Sequence, residues 1–278
     1  MYPAAKQAGV RVLLDGDGGD EAVSRGYPYM AELFAQLRWQ ELWQTIEPLA
    51  KHRKEPPFQI FWQQALRPNV PAWVHSAWRM ARRRGRPLWL DDTLLNPDFM
   101  RRFGIGERAR TLLGYEMHPA RTVREEHCDM LQSGPLAHTF EVINRVSHAH
   151  GIEHRYPFLD RRLVEFCVSL PSEQKLHRGW TRMVMRRAMK DILPEKIRWR
   201  GGKTYLDKNI THGLKTYERR TLADTIETNT DRIGRYVDLK ALDKTYRTFL
   251  EAPDYASTTS VWQTAMFSLW LKQAALEP

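Results

Sequence analysis

Asp15-Gly16-Asp17-Gly18-Gly19-Asp20-Glu21 follows directly on the largely apolar run Val10-Arg11-Val12-Leu13-Leu14. The aliphatic run reads as a short buried strand. The loop after it places three glycines and four carboxylates in seven residues. Glycine lets a backbone turn with positive φ and approach a ligand closely. Carboxylates at the C-terminal end of a strand can hold Mg²⁺ or act as a base. An acidic surface turn accounts equally well for the local composition. Only nine residues, Met1 to Gly9, precede the strand. A lone strand cannot cover both faces or pair its edges. The expectation is therefore that another chain supplies partners, or that the sequence is an N-terminally truncated portion of something larger.

The chain has 278 residues, 42% hydrophobic and 27% charged, which are globular values. Its two cysteines, Cys128 and Cys167, form no Cys-x-x-Cys pair, so neither a disulfide framework nor a zinc motif is indicated. The sequence shows neither a membrane-length apolar run nor a signal-peptide core, and the expectation is a soluble, cytoplasmic protein. A net charge of +10 suits an anionic partner such as a nucleotide or pyrophosphate. The arginines at 79, 82, 83, 84 and 86 lie between Trp78 and Trp89 without a recognisable nucleic-acid module. They read as a solvated basic helix end, with no nucleic acid and no membrane as partners.

Helical periodicity covers 28 to about 78, with Leu33, Leu37, Trp43 and Ile46 among its apolar positions. It is interrupted at Lys54–Pro57 and at Pro68–Pro71. Residues 79–121 read as short helices and loops. Thr122-x-x-Glu125 is a capping-box pattern opening a helix. After Ser133-Gly134-Pro135 a second helix runs to His150, and Gly151 stops it. Three further apolar stripes read as core faces: Leu163/Phe166/Cys167/Leu170, then Met185/Ala188/Met189/Ile192 with Thr181 as N-cap, then Trp262/Ala265/Met266/Leu269/Trp270. His148, His150 and His154 lack a cysteine or an i, i+4 histidine partner and read as surface or helix-end residues.

Two other segments carry chemistry. Gly151-Ile152-Glu153-His154-Arg155-Tyr156-Pro157-Phe158-Leu159-Asp160 is a charged link between helices whose course a proline fixes. Arg198-Trp199-Arg200-Gly201-Gly202-Lys203 sets cations around a Gly-Gly hinge, and such a lysine reaches a phosphate as a point charge. In this order, the three stretches resemble the synthetase domain of the asparagine synthase family. The likeness lies in Gly16–Glu21, Gly151–Asp160 and Trp199–Lys203, and extends through Arg145–His150 and Arg161–Phe166.

The resemblance implies an α/β domain, adenine-nucleotide alpha-hydrolase-like with a parallel sheet, of which this chain keeps mainly the helical part plus a terminal strand or strands. On that basis residues 1–278 form the C-terminal portion of an asparagine synthetase-type domain. It also implies an ATP-dependent amide ligase that adenylates a carboxylate with Mg-ATP, releases pyrophosphate and lets an amine attack the acyl-adenylate. By the same resemblance Asp17 lies near the reacting centre, although it is one methylene shorter than the usual Glu. Asp20 matches the Mg²⁺-holding aspartate, Glu153 the catalytic-site glutamate of the Gly-x-Glu segment that orients a catalytic tyrosine in a β-lactam-forming relative, and Lys203 the lysine that stabilises the adenylation transition state and the leaving pyrophosphate. Gly16, Gly18, Gly19 and Arg155 fall in ATP- or substrate-binding segments. The family's Ser-Gly-Gly-x-Asp-Ser-type pyrophosphate loop and its glutaminase domain have no counterpart in this sequence. Full activity is therefore expected to need a missing N-terminal segment or a partner chain. Asp15–Glu21 and Arg200–Lys203 look closest to the lasso-peptide cyclases, which join a peptide's N-terminal amine to an Asp or Glu side chain. The carboxylate substrate is thus aspartate or a precursor peptide. The alternative is a non-catalytic remnant that serves as a binding or scaffold protein.

Overall fold

The structure is a computed structural model and describes residues 1–71, 73–74, 93–112, 119–201 and 207–274. The arginines of residues 79–86 and the Gly202-Lys203 pair lie outside the described residues. The chain divides into two compact units: Met1–Arg83 with Arg110–Gly202, and Arg84–Ala109 with Lys203–Pro278.

In the first unit, α1 (Tyr2–Gln7) leads to β1 (Val12–Leu14), and α2 (Gly19–Val23) follows the acidic loop. β1 pairs in parallel with β2 (Glu153–Arg155), with Val12 opposite Glu153, Leu13 opposite His154 and Leu14 opposite Arg155. The sheet is parallel as expected, but its partner strand lies within this chain, in the segment that reads as a link between helices, and β1 is not buried as expected. Leu14 is 73% and Val12 40% exposed, so only Leu13 and His154 face inward. Side chains alternate along a strand, and among the described residues no layer covers the Val12/Leu14 side.

The core of this unit sits under α3 (Tyr29–Ala35) and α4 (Trp39–Arg53). Met30, Leu33, Leu42, Ile46 and Ile60 are fully or almost fully buried there, with Val123 and Leu176 against them. A short helix, Pro57–Ile60, runs into a π-helical turn, Phe61–Leu66. The breaks fall where the prolines placed them. Leu37, at φ +59°, and Trp43 lie outside the core, 68% and 39% exposed. Leu37 belongs to the turn between α3 and α4, which takes it off the helical face.

The capping box at Thr122–Glu125 forms in both directions and opens the helix Val123–Leu131. The helix Gly134–His148 then leads through Gly151, at φ +71°, into β2. In Arg161–Ser169 Cys167 is buried but Phe166 is 53% exposed. Thr181 is not a helix cap. It belongs to the hairpin of β3 (Leu176–His177) and β4 (Trp180–Thr181), while Arg182, at φ +54°, starts Met183–Ala188. That helix ends early, Asp191 takes φ +62°, and Ile192 is 69% exposed.

In the second unit Phe249, Val261, Ala265 and Leu222 form one cluster, and Ile233, Val237, Leu242 and Leu271 another. Its longest helix, Tyr255–Gln273, buries Val261, Thr264, Ala265, Ser268 and Leu271. Trp262, Met266, Leu269 and Trp270, expected in the core, are 38–53% exposed. Ser257, Thr258, Thr264 and Ser268 make up much of the buried face while the tryptophans lie outside it, so apolar periodicity alone picks the wrong face.

Candidate active site

The acidic loop leaves the C-terminal end of β1, beside the C-terminal end of β2. This is where parallel sheets present ligand sites. The Asp15 backbone N–H donates to the Arg155 carbonyl (2.9 Å), which carries the pairing one step past the strand. Asp15 Oδ1 then accepts from the Asp17 backbone N–H (3.0 Å) and sets the turn. Gly18 has φ +83°, and a Cβ there would stand 2.6 Å from the Leu159 side chain; one on Gly19 would stand 3.2 Å from Phe158. These two glycines let the loop lie flat on the Pro157–Leu159 turn. A Cβ on Gly16 would meet nothing within 4 Å, so that residue stands open. Two of the three segments singled out in the sequence, 142 positions apart from Gly16 to Phe158 by numbering, thus share one surface.

The predicted site residues divide between two sides of the small sheet. Asp17 sits with Asp15, His154 and Tyr156: burial and then the Asp15 charge push its carboxyl up, while His154 works the other way. Glu153 and Arg155 fall on the opposite, exposed side and pair with each other at 2.8 Å. The Arg155 hydrogen bond is the main cause holding the Glu153 carboxyl below its ordinary value. Asp160 caps Arg161–Ser169, and with Arg162 also on it, its carboxyl drops to about 2.

Asp20, in the first turn of α2, accepts from Arg25 at 2.8 Å on one oxygen and from Arg182 on the other. Both oxygens already face guanidinium groups, and among the described residues no three His, Cys, Asp or Glu side chains converge as a metal site. A Mg²⁺ on Asp20 would have to displace an arginine and take its remaining ligands from phosphates and water. The Asp20–Arg182 pair spans 162 positions, a separation that no local pattern announces.

α2 rests on a buried polar foundation between Val123–Leu131 and Arg161–Ser169. Lys175 is 1% exposed and donates to His127 Nδ1 at 3.1 Å; His127 is fully buried. Burial and then Lys175 hold His127 down to about 4, against the carbonyls of Ala22 and Glu21. Ser24, at φ +60°, donates to Glu126 at 3.3 Å, and burial pushes the Glu126 carboxyl up. A Cβ on Gly26 would stand 2.8 Å from Lys175 Cβ, so the chain after α2 lies directly on this lysine.

The root of the Gly-Gly-Lys stretch is also held. Arg186 stacks over Trp180 (4.7 Å) and Trp199 (5.6 Å), and its guanidinium donates to the carbonyls of Thr181, Arg198 and Arg200. Arg198 in turn stacks on Trp199 at 4.8 Å and donates to the Arg186 carbonyl. Sequence reading found the basic stretch but not its anchor, because Trp180 and Arg186 belong to the hairpin and the helix after it. His154, read from the sequence as a surface residue, is 8% exposed. The alternation Glu153-His154-Arg155 was the available signal: a strand with one buried face must turn its middle residue inward.

A family model described as asparagine synthase matches residues 1–272. The chain is similar to asparagine synthetase 3 (glutamine-hydrolyzing) of Bacillus subtilis strain 168, 30% identical over 112 residues, which cover 38% of this chain and 17% of that protein. It is also similar to the asparagine synthetase of Gallus gallus, 36% identical over 73 residues (24% and 13% of the two chains). Against that of Cricetulus griseus it is 29% identical over 133 residues (46% and 23%). The matched part thus spans less than a quarter of the length of each of these relatives. No solved structure matches.

Proposed function

The chain belongs to the asparagine synthase family, and from that premise we propose that it carries part of the site of an ATP-dependent amide ligase. ATP activates a carboxylate as its acyl-adenylate with release of pyrophosphate, and an amine then displaces AMP. The observation that carries this reading is the seating of Gly18 and Gly19 on Leu159 and Phe158 at the ends of two parallel strands. It builds one loop surface out of two segments that resemble the family's.

In this reading Gly16, Gly18 and Gly19 let the loop approach the nucleotide, and Arg155 faces an anionic part of ATP or substrate. Asp17 accepts a proton from the attacking amine, a role suited by a carboxyl whose pKa burial and Asp15 push up. Glu153, paired with Arg155, acts from the exposed side of the sheet. Lys203 stabilises the charge that develops on pyrophosphate. Mg²⁺ would neutralise the phosphates, and Asp20 would bind it only by giving up Arg25 or Arg182. The carboxylate in this reading is that of free aspartate or of a peptide side chain.

ATP–pyrophosphate exchange by the full product of the gene tests the reading, with L-aspartate and with a linear peptide bearing a free N-terminal amine and an internal Asp or Glu. Exchange with either carboxylate supports adenylation. Loss of one water from the peptide identifies isopeptide closure. Exchange with neither, together with retained binding of ATP, would favour a scaffold role.

A further inference from the structure

His154 is a buried imidazole that the proposed chemistry leaves without a task. Its side chain is only 2% exposed, its Nδ1 lies 3.4 Å from Asp15 Oδ2, and neither ring nitrogen makes a hydrogen bond. Tyr156, just past the end of β2, likewise buries its hydroxyl without a partner. Buried polar atoms are nearly always satisfied, so three orphans in two neighbouring side chains call for an explanation. The groups facing His154 come from three elements. Asp15 and Asp17 belong to the loop after β1. Tyr156 packs its ring 5.9 Å away, and Tyr2 of α1 stands edge-on at 5.4 Å, itself stacked on His150.

Asp15 joins this buried pair to the proposed base. One of its oxygens faces His154, and the other holds the Asp17 backbone N–H at 3.0 Å. We infer that His154 is a positioning residue for amide formation, fixing Asp15 and through it the turn that carries Asp17, with the Tyr156 hydroxyl as its polar neighbour. The inference rests on the amide-ligase reading and deepens it. As the amine attacks, its nitrogen forms the C–N bond while the acyl C–O bond breaks and its electrons leave with AMP. The amine proton goes to the Asp17 carboxylate. Asp17, exposed on its loop, returns it directly to solvent, which restores the carboxylate for the next turnover. Formation of the acyl-adenylate transfers no amine proton and does not depend on the placement of Asp17.

This separation of steps gives the test. His154→Gln is compared with the unaltered gene product in two assays, ATP–pyrophosphate exchange and amide formation. The carboxylates are L-aspartate with ammonium chloride, or the linear peptide described above. The expected result is exchange within about two-fold of the unaltered protein and amide formation reduced at least ten-fold. Retained exchange shows that the fold and nucleotide site survive the substitution. An equal fall in both activities would reduce His154 to a packing residue and overturn the inference, as would unchanged amide formation. Absence of exchange in the unaltered protein would instead overturn the amide-ligase reading, and the positioning role with it.

Discussion

The buried foundation of α2 makes the fold sensitive to mild acid, and His127 is the group responsible. Its folded value is about 4 against an ordinary 6.5. Between these values the unfolded chain binds a proton that the folded protein refuses, so stability falls as pH falls from 6.5 to 4 and levels off below that. At pH 5 the penalty works out at about 2 kcal/mol relative to pH 7, from a shift worth about 1.4 kcal/mol per pH unit. The physical cause is an imidazole with no access to water whose Nδ1 already accepts from the Lys175 ammonium. His127→Gln keeps an acceptor for Lys175 and removes the titration. Urea unfolding of both proteins at pH 7 and pH 5 isolates the effect as a difference of differences, free of the cost of the substitution itself. The unaltered protein should lose about 2 kcal/mol more than the variant over this interval. Equal losses would refute the assignment of acid sensitivity to His127.

Three other outcomes follow from the geometry. Gly18→Ala should destabilise the protein by roughly 1–3 kcal/mol in urea unfolding, because φ is +83° and the new Cβ would meet Leu159; no loss would mean that the loop does not seat there. Thr122→Ala should cost about 1 kcal/mol by thermal or urea unfolding through loss of the capping box, and Thr122→Ser should restore most of it. Lys203→Ala should slow ATP–pyrophosphate exchange by about two to three orders of magnitude, the range for removing one electrostatic stabiliser, and unchanged exchange would remove that residue from the site.

Local chemistry made parts of this molecule legible in advance. The Thr122–Glu125 box, the proline breaks and the Gly151 stop depend on a few adjacent residues, and they appear where their patterns put them. The pairing of β1 with residues 153–155 was not legible: that segment reads as a link between helices, and it becomes a strand only because residues 12–14 lie beside it. The faces of elements were read less well. Trp43, Phe166 and Trp262 have core-like spacing, yet each is exposed, because burial depends on which neighbour arrives and not on the helix's own period. The candidate site divides the same way. Its loop and its glycines could be read from sequence, but the arginines on Asp20 could not. Arg182 reaches that carboxylate only because an αL residue turns the chain out of the β3–β4 hairpin. Lys175 and His127 escaped for a related reason: a buried lysine in a chain of +10 net charge looks like any other surface cation until its packing is known.

The central claim is that the loop Asp15–Glu21 serves an acyl-adenylate, and the fate of the substrate's oxygen tests it most directly. The carboxylate substrate is labelled with heavy oxygen, turned over with ATP and an amine by the full gene product, and the nucleotide product is analysed by mass spectrometry. Attack of the amine on an acyl-adenylate leaves one carboxylate oxygen on the phosphate of AMP, so labelled AMP should appear in step with amide. Label in inorganic phosphate with ADP as the nucleotide product, or amide formed with unlabelled AMP, would contradict the account.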